Sequence, residues 1–432
     1  MRGLKRSPGL FGLGVLLVAL VAFAGHARAD IASDQSGSLI IFPKVIADGS
    51  RDTWIQIANT TNSGVQAHCF YINAAGACSV TGAFCDIDED CPSLTAPPVS
   101  QVCVHVCREL DFDILLTPQQ PTIWPVSIGR AAFDGMPGIP PSVRIPPPPQ
   151  PFVGELKCVQ VDRSGFPAPG NALKGEAVIV PAENRAALAP DDGLISEYNA
   201  ISVIAGPNAG GSGILRFGPG QFNACPEKLI VPHYAEGATD GFTGATVSAE
   251  LSLVACTELL EPQVATYSNA NMLSWDEFEQ QFSAPLQFGC SVNRRFNNIP
   301  VVNSPQFSAA VGGSLRKTTI RPQAGFQCYS GSERCHICGV YGSANPGLAE
   351  TDPKCASAGP NALVGNCSCD PAIPNVCPGA DPDFGCKQSP GLLGVVEEFY
   401  TSPSNTATAA INIYNQGSRP GDVIVMPALP QD

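Results

Sequence analysis

All 18 cysteines of this chain lie at or beyond Cys69, and the segment at its N-terminus governs what they can become. Arg2, Lys5 and Arg6 form a basic stretch, Leu10 to Ala24 an apolar one, and Ala27-Arg28-Ala29 a small-residue cleavage pattern before Asp30. That order is the signature of a secretory signal peptide over residues 1–29. About 15 apolar residues fall short of the roughly 20 that span a bilayer as a helix, which argues against an anchor. Export delivers thiols to an oxidising compartment, where they pair. The chain is therefore expected in the periplasm or secreted, free or associated with the cell surface.

The cysteines fall into three groups: Cys69, Cys78, Cys85, Cys91, Cys103 and Cys107; Cys158, Cys225, Cys256 and Cys290; and Cys328, Cys335, Cys338, Cys355, Cys367, Cys369, Cys377 and Cys386. Each count is even, as locally closed disulfide sets require, although a bond between groups such as Cys69 to Cys158 keeps total parity too. All 18 are expected in disulfides, with connectivity open, since six cysteines already allow 15 pairings. A zinc reading competes at Cys335-His336-Ile337-Cys338, whose spacing suits a metal cluster, with Cys367 and Cys369 as further ligands. An oxidising compartment weakens it. Gly339 stands where a c-type haem attachment needs histidine. Asp86, Asp88 and Asp90 resemble a calcium loop, but Cys91 replaces the required glycine and Pro97 the closing glutamate. No cofactor and no metal is expected.

The pattern along the chain is β. Ile55 and Ile57 share one face, Val65, Ala67, Cys69 and Tyr71 another, and Val247, Ala249, Leu251, Leu253 and Ala255 alternate cleanly. One short helix is predicted near Ser274 and Glu277, which have capping-box spacing ahead of Phe278 and Phe282. Residues 74–108 and 323–390 are rich in cysteine and poor in large apolar side chains, so they are read as loop insertions. Met136 to Phe152 contains four consecutive prolines and reads as a stiff spacer. The expected organisation is thus a signal over 1–29, a first sandwich over 30–136 with insertion 74–108, a linker over 137–152, and a second sandwich region over 153–432 with insertion 323–390.

The frame from Asp52 to Thr60 is similar to the start of immunoglobulin-like sandwiches in exported bacterial proteins, and Phe84 to Pro92 resembles short cysteine-rich surface units. The resemblance implies an all-β fold of two antiparallel immunoglobulin-like sandwiches, each with a cysteine-rich loop insertion. It implies no catalytic or binding residue.

Formal charge is −14, and loss of Arg2, Lys5, Arg6 and Arg28 with the signal takes it to −18. Such an excess repels phosphate backbones, so nucleic acid is excluded as a partner. A hydrophobic content of 44% suffices for a core and argues against disorder throughout. No later apolar run is long enough for a transmembrane anchor. Of the histidines beyond the signal, His68, His105 and His336 sit beside or between cysteines, and His233 follows Pro232. There is no G-x-S-x-G elbow and no H-E-x-x-H helix. Glu258, Glu261, Asp276, Glu277, Glu397 and Glu398 are unranked carboxylates for a glycosidase pair. Trp54, Trp124 and Trp275 are assigned to packing, with sugar stacking as the competing role. The expected function is an exported, non-enzymatic protein with a structural, adhesive or binding role toward a protein or glycan at the cell surface. The competing reading is a carbohydrate-binding or carbohydrate-cleaving protein.

Overall fold

The computed structural model describes residues 31–427 apart from 75, 79, 82–83, 86–90, 92–93, 96–97, 100–102, 106, 133–142, 183–193, 261–266, 300–307, 310–313, 323–325, 328–329, 332–333, 336–386, 389 and 404–405. It is all-β, with 61% strand in several antiparallel sheets and no α-helix among the described residues. The signal segment, the expected calcium aspartates and all the C-terminal cysteines except Cys335 lie outside those residues.

The first strands are β1 (Leu39–Ala47), β2 (Arg51–Asn59) and β3 (Val65–Asn73). Within the first insertion come β4 (Gly76–Cys78), β5 (Phe84–Cys85), β6 (Leu94–Thr95), β7 (Pro98–Val99) and β8 (Cys103–His105). The chain then forms β9 (Arg108–Leu116), β10 (Pro121–Pro125), β11 (Phe152–Val161), β12 (Leu173–Pro181), β13 (Ser196–Asn199) and β14 (Ile201–Val203). Nine of these strands belong to one hydrogen-bonded sheet, ordered β13-β12-β2-β1-β11-β3-β9, with β10 on β2 and β14 on β1. β1 meets β2 only at Ala47 and Asp52, so the sheet folds over at that corner into two facing layers. Ile40 and Phe42 of β1, Tyr71 of β3, Phe112 of β9 and Leu156 of β11 point into the gap from one layer. Ile55, Ile57, Trp124, Ala177 and Ile179 fill it from the other. The period-two side-chain alternation of strands produces this division.

β11 follows the proline run yet pairs with β1 and β3, which precede it. The expected boundary at 137–152 therefore does not coincide with a break between sheets; the segment returns the chain into the middle of the sheet it left. Asn73 of β3 and Arg108 of β9 are register partners, so residues between them leave and re-enter the sheet at one point.

The remaining strands are β15 (Ile214–Arg216), β16 (Lys228–Tyr234), β17 (Ala238–Thr239), β18 (Thr246–Ala255), β19 (Glu258–Leu259), β20 (Tyr267–Asp276), β21 (Gln281–Gly289), β22 (Ser291–Arg295) and β23 (Leu315–Pro322). After these come β24 (Phe326–Gln327), β25 (Ser330–Gly331), β26 (Arg334–Cys335), β27 (Lys387–Gln388), β28 (Leu392–Thr401), β29 (Thr406–Asn412), β30 (Tyr414–Gln416) and β31 (Val423–Val425). One sheet runs β21-β20-β23-β16-β30 and another β17-β18-β28-β29, with β22 on β18. Leu229, Met272, Leu286, Phe296 and Ile320 meet Leu251, Leu253 and Val396 in the core between them. The predicted helix at Ser274 is corrected. Ser274 lies inside β20, paired on both sides, and the Glu277 carboxylate accepts from the backbone N–H groups of Ser314 and Leu315 at 2.8 and 2.9 Å.

A third core joins the two sets of strands. Leu39, Ile41, Phe70, Ile72 and Val159, on the outer face of the first layer, pack against Phe217, Phe222, Val254, Leu393 and Ile424. Every residue of β1 and β11 is consequently buried, including Lys44, Glu155 and Lys157. Those three charges lie in strands covered on both faces, where apolar side chains are the rule.

Candidate functional site

The layer β10-β2-β12-β13 turns one face to the core, and its other face forms an ordered grid. Register places Pro125, Trp54, Val178 and Glu197 in one row, and Ile123, Gln56, Glu176 and Asn199 in the next. Pro121, Ala58 and Lys174 make a third row. Ile55 and Ile57 must point inward, so Trp54 and Gln56 point outward by the same alternation. Trp54 is half-buried, Ile123 is 49% exposed, and Glu197, Asn199 and Lys174 are exposed. The Trp54 indole N–H is covered but has no hydrogen-bond partner among the described residues.

Glu176 and Glu197 are diagonal neighbours across β12 and β13 and are hydrogen-bonded through their side chains, an arrangement that two ionised carboxylates cannot make. That bond, then burial and the Glu197 charge, hold the Glu176 carboxyl protonated up to about 7. Glycosidases keep their carboxyl groups about 5–10 Å apart to admit the sugar and its water. A hydrogen-bonded pair is closer than that. The grid thus offers an aromatic surface beside hydroxyl-binding groups, a geometry for holding a ligand.

The other tryptophans differ. Trp124 fills the first core and donates from its indole N–H to the Tyr71 hydroxyl at 2.7 Å. Trp275 is half-buried on β20, between Gln281 and Lys317.

The acidic residues marked as glycosidase candidates are tied to internal partners. Glu397 lies 2.9 Å from the buried Lys44 ammonium, and Glu250 contacts the same ammonium. Arg51 reaches Glu250 at 3.2 Å and Glu397 at 3.3 Å, so two cations balance two carboxylates. Lys44 and Arg51 hold Glu250 well below the usual carboxylate range against the opposing effect of burial. Glu258 contacts Lys157, Asp276 lies 3.5 Å from Arg316, and Glu398 accepts from the Tyr400 hydroxyl at 2.6 Å. Glu277 binds backbone, as described above. Glu261 lies outside the described residues.

His68 is nearly buried on β3, 3.0 Å from Asp113 and 3.3 Å from Asp111. Burial opposes its charge, but the two aspartates prevail and raise its pKa. His233 is buried, its ring stacked 4.0 Å from Phe296 and its Nε2 2.8 Å from the Thr318 hydroxyl. Nothing is described of the His105 side chain, and His336 lies outside the described residues.

Among the expected disulfides, Cys69–Cys158, Cys78–Cys91, Cys107–Cys290 and Cys225–Cys256 are formed, and Cys85 is also disulfide-bonded. Two of them leave the N-terminal group, so that group is not locally closed. Cys69–Cys158 staples neighbouring strands β3 and β11, and Cys107–Cys290 ties the end of the first insertion to the residue after β21. Disulfide bonding also accounts for the clusters Cys78, Cys85, Cys91 and Cys225, Cys256, Asp422, whose ligand atoms lie close enough for a metal. The zinc reading at Cys335 and Cys338 falls where side chains are not described.

Sequence reasoning assigned Trp54 to packing and did not single out Glu176 or Glu197. The alternation of Ile55 and Ile57 was the one local signal that placed Trp54 outside. The carboxyl pair depends on strand register and left no local signal.

No family model matches the chain, and no curated protein matches it.

Proposed function

We propose that this chain is an exported, disulfide-stabilised, non-enzymatic binding protein of the cell surface or its surroundings, built from two immunoglobulin-like sandwiches. Its binding face is the outer grid of β10, β2, β12 and β13, and its ligand is a glycan. The observation that carries this reading is the half-buried Trp54 beside Gln56 and the hydrogen-bonded Glu176–Glu197 pair. An indole face stacks on the C–H face of a sugar ring, while amide and carboxyl oxygens accept from its hydroxyls. Binding is favoured over cleavage because Glu258, Asp276, Glu277, Glu397 and Glu398 are tied to internal partners.

The test is a glycan array probed with the oxidised protein, followed by calorimetric titration of the hits with Trp54→Ala and Glu176→Gln/Glu197→Gln variants. We expect Trp54→Ala to weaken binding at least about tenfold, equivalent to about 1.4 kcal/mol, and the double variant to change which sugars bind. An array without hits would reject the glycan ligand. Full affinity in Trp54→Ala would move the site off this face.

A further inference from the structure

Lys157 and Glu155 stand two residues apart on one face of β11, and register sets Ile41, Phe70 and Ile72 around them. All three neighbours belong to the apolar core shared by the two sets of strands. From the facing side β19 supplies Glu258, whose Oε2 contacts Lys157 Nζ. Glu155 Oε2 is 2.6 Å from the same nitrogen, and the carbonyl of Ala255 is 3.5 Å away. The side chains of Lys157, Glu155 and Glu258 are 0%, 0% and 4% exposed.

Two observations distinguish this cluster from the one at Lys44. There, two cations match two carboxylates. Here, one ammonium faces two carboxyls with no second cation among the described contacts, so full ionisation would strand a negative charge in an apolar core. Burial and the neighbouring Glu258 accordingly keep Glu155 protonated far above the usual range. In addition, Glu155 Oε1 and Glu258 Oε1 have no hydrogen-bond partner among the described residues, while Glu155 Oε2 lies against the Lys157 ammonium. Such orphaned buried oxygens call for an explanation.

We propose that Lys157 and Glu258 become joined by an intramolecular isopeptide bond, with Glu155 transferring the protons. Within the dry core a proton passes from the Lys157 ammonium to the Glu258 carboxylate, a transfer that removes two charges and creates none. The neutral Nζ attacks Glu258 Cδ, the bond from Cδ to the protonated oxygen breaks, and one water leaves with the second amine proton relayed through Glu155. No oxidant, reductant or cofactor takes part. Contact between amine and carboxyl in one buried site supplies the proximity that such condensations lack in solution. In the product the remaining Glu258 oxygen is an amide carbonyl, and the Glu155 hydroxyl becomes its donor. The unbalanced charge and the orphaned Glu258 oxygen disappear together, and β11 is covalently fixed to β19.

The test is intact mass spectrometry of the exported full-length protein, reduced and denatured so that disulfides do not contribute. We expect the wild-type chain to be lighter than its processed sequence by one water. Proteolysis should yield a branched peptide linking residue 157 to residue 258, with no cleavage after Lys157. Lys157→Arg and Glu258→Ala should restore the full mass, and Glu155→Ala should leave the bond unformed. A wild-type chain of full mass overturns the proposal whether or not any variant folds, as does a water loss mapped elsewhere. A bond that still forms in Glu155→Ala overturns the role given to Glu155.

Discussion

His233 shows how completely a side chain can be redefined by its surroundings. In the sequence it is a histidine after a proline near a strand end. In the fold it lies under Phe296, with Thr318 on Nε2 and the Tyr234 carbonyl 2.7 Å from Nδ1. Burial, reinforced by the Arg316 charge, pushes its pKa down to about 4. The unfolded chain takes up a proton near pH 6.5 that the folded chain refuses until about 4. The stability due to neutral His233 is therefore complete above 6.5 and is lost as pH falls through that window. At 1.36 kcal/mol per unit the loss reaches about 3 kcal/mol. Urea denaturation from pH 7.5 to 4 should show this fall in the wild type and a shallower one in His233→Gln. Parallel slopes in the two proteins would reject the assignment.

At the scale of elements, legibility followed the size of the buried side chains. β18 was visible because Val247, Ala249, Leu251, Leu253 and Ala255 are all apolar and all buried. β20 was mistaken for a helix start because its buried face is Ser268, Ala270, Met272, Ser274 and Asp276, which hides a strict alternation behind small and polar residues. β11 carried a different disguise: Glu155 and Lys157 look like a solvated edge until strands from both halves cover them. The open face with Trp54 was readable for the one residue whose neighbours alternate, and unreadable for Glu176 and Glu197, which meet only through pairing. The disulfides follow the same rule, since Cys107 and Cys290 are 183 residues apart in sequence and are brought together by the tertiary fold. A bridge closing so long a loop restricts the unfolded chain strongly. Replacing both cysteines by alanine should cost about 2–5 kcal/mol in chemical denaturation. A loss below about 1 kcal/mol would mean that the packed strands already supply the constraint.

For the whole molecule, the decisive question is whether the strands before and after the proline-rich segment act as one body. Several connections cross between the strands of residues 39–203 and those beyond, the Lys157–Glu258 contact among them. Others are the core of Leu39, Phe70, Val254 and Leu393, the disulfide Cys107–Cys290, and the ion cluster in which Lys44 and Arg51 of the first sheet meet Glu250 and Glu397 of β18 and β28. Val395 of β28 even belongs to the core of the first two layers. Independent domains joined by a spacer would share none of these. Calorimetry of the oxidised protein should therefore give a single transition whose calorimetric and van't Hoff enthalpies agree. Lys44→Met removes the fully buried cation and leaves two carboxylates with Arg51 alone, a loss of about 3–5 kcal/mol for a broken buried pair. Because the cluster sits between the two sets of strands, this variant should lower the whole transition without splitting it. Two separate peaks in the wild type would instead mean that the strands of residues 39–203 and those beyond unfold as separate units, with the ion cluster a contact between them and no part of a common core.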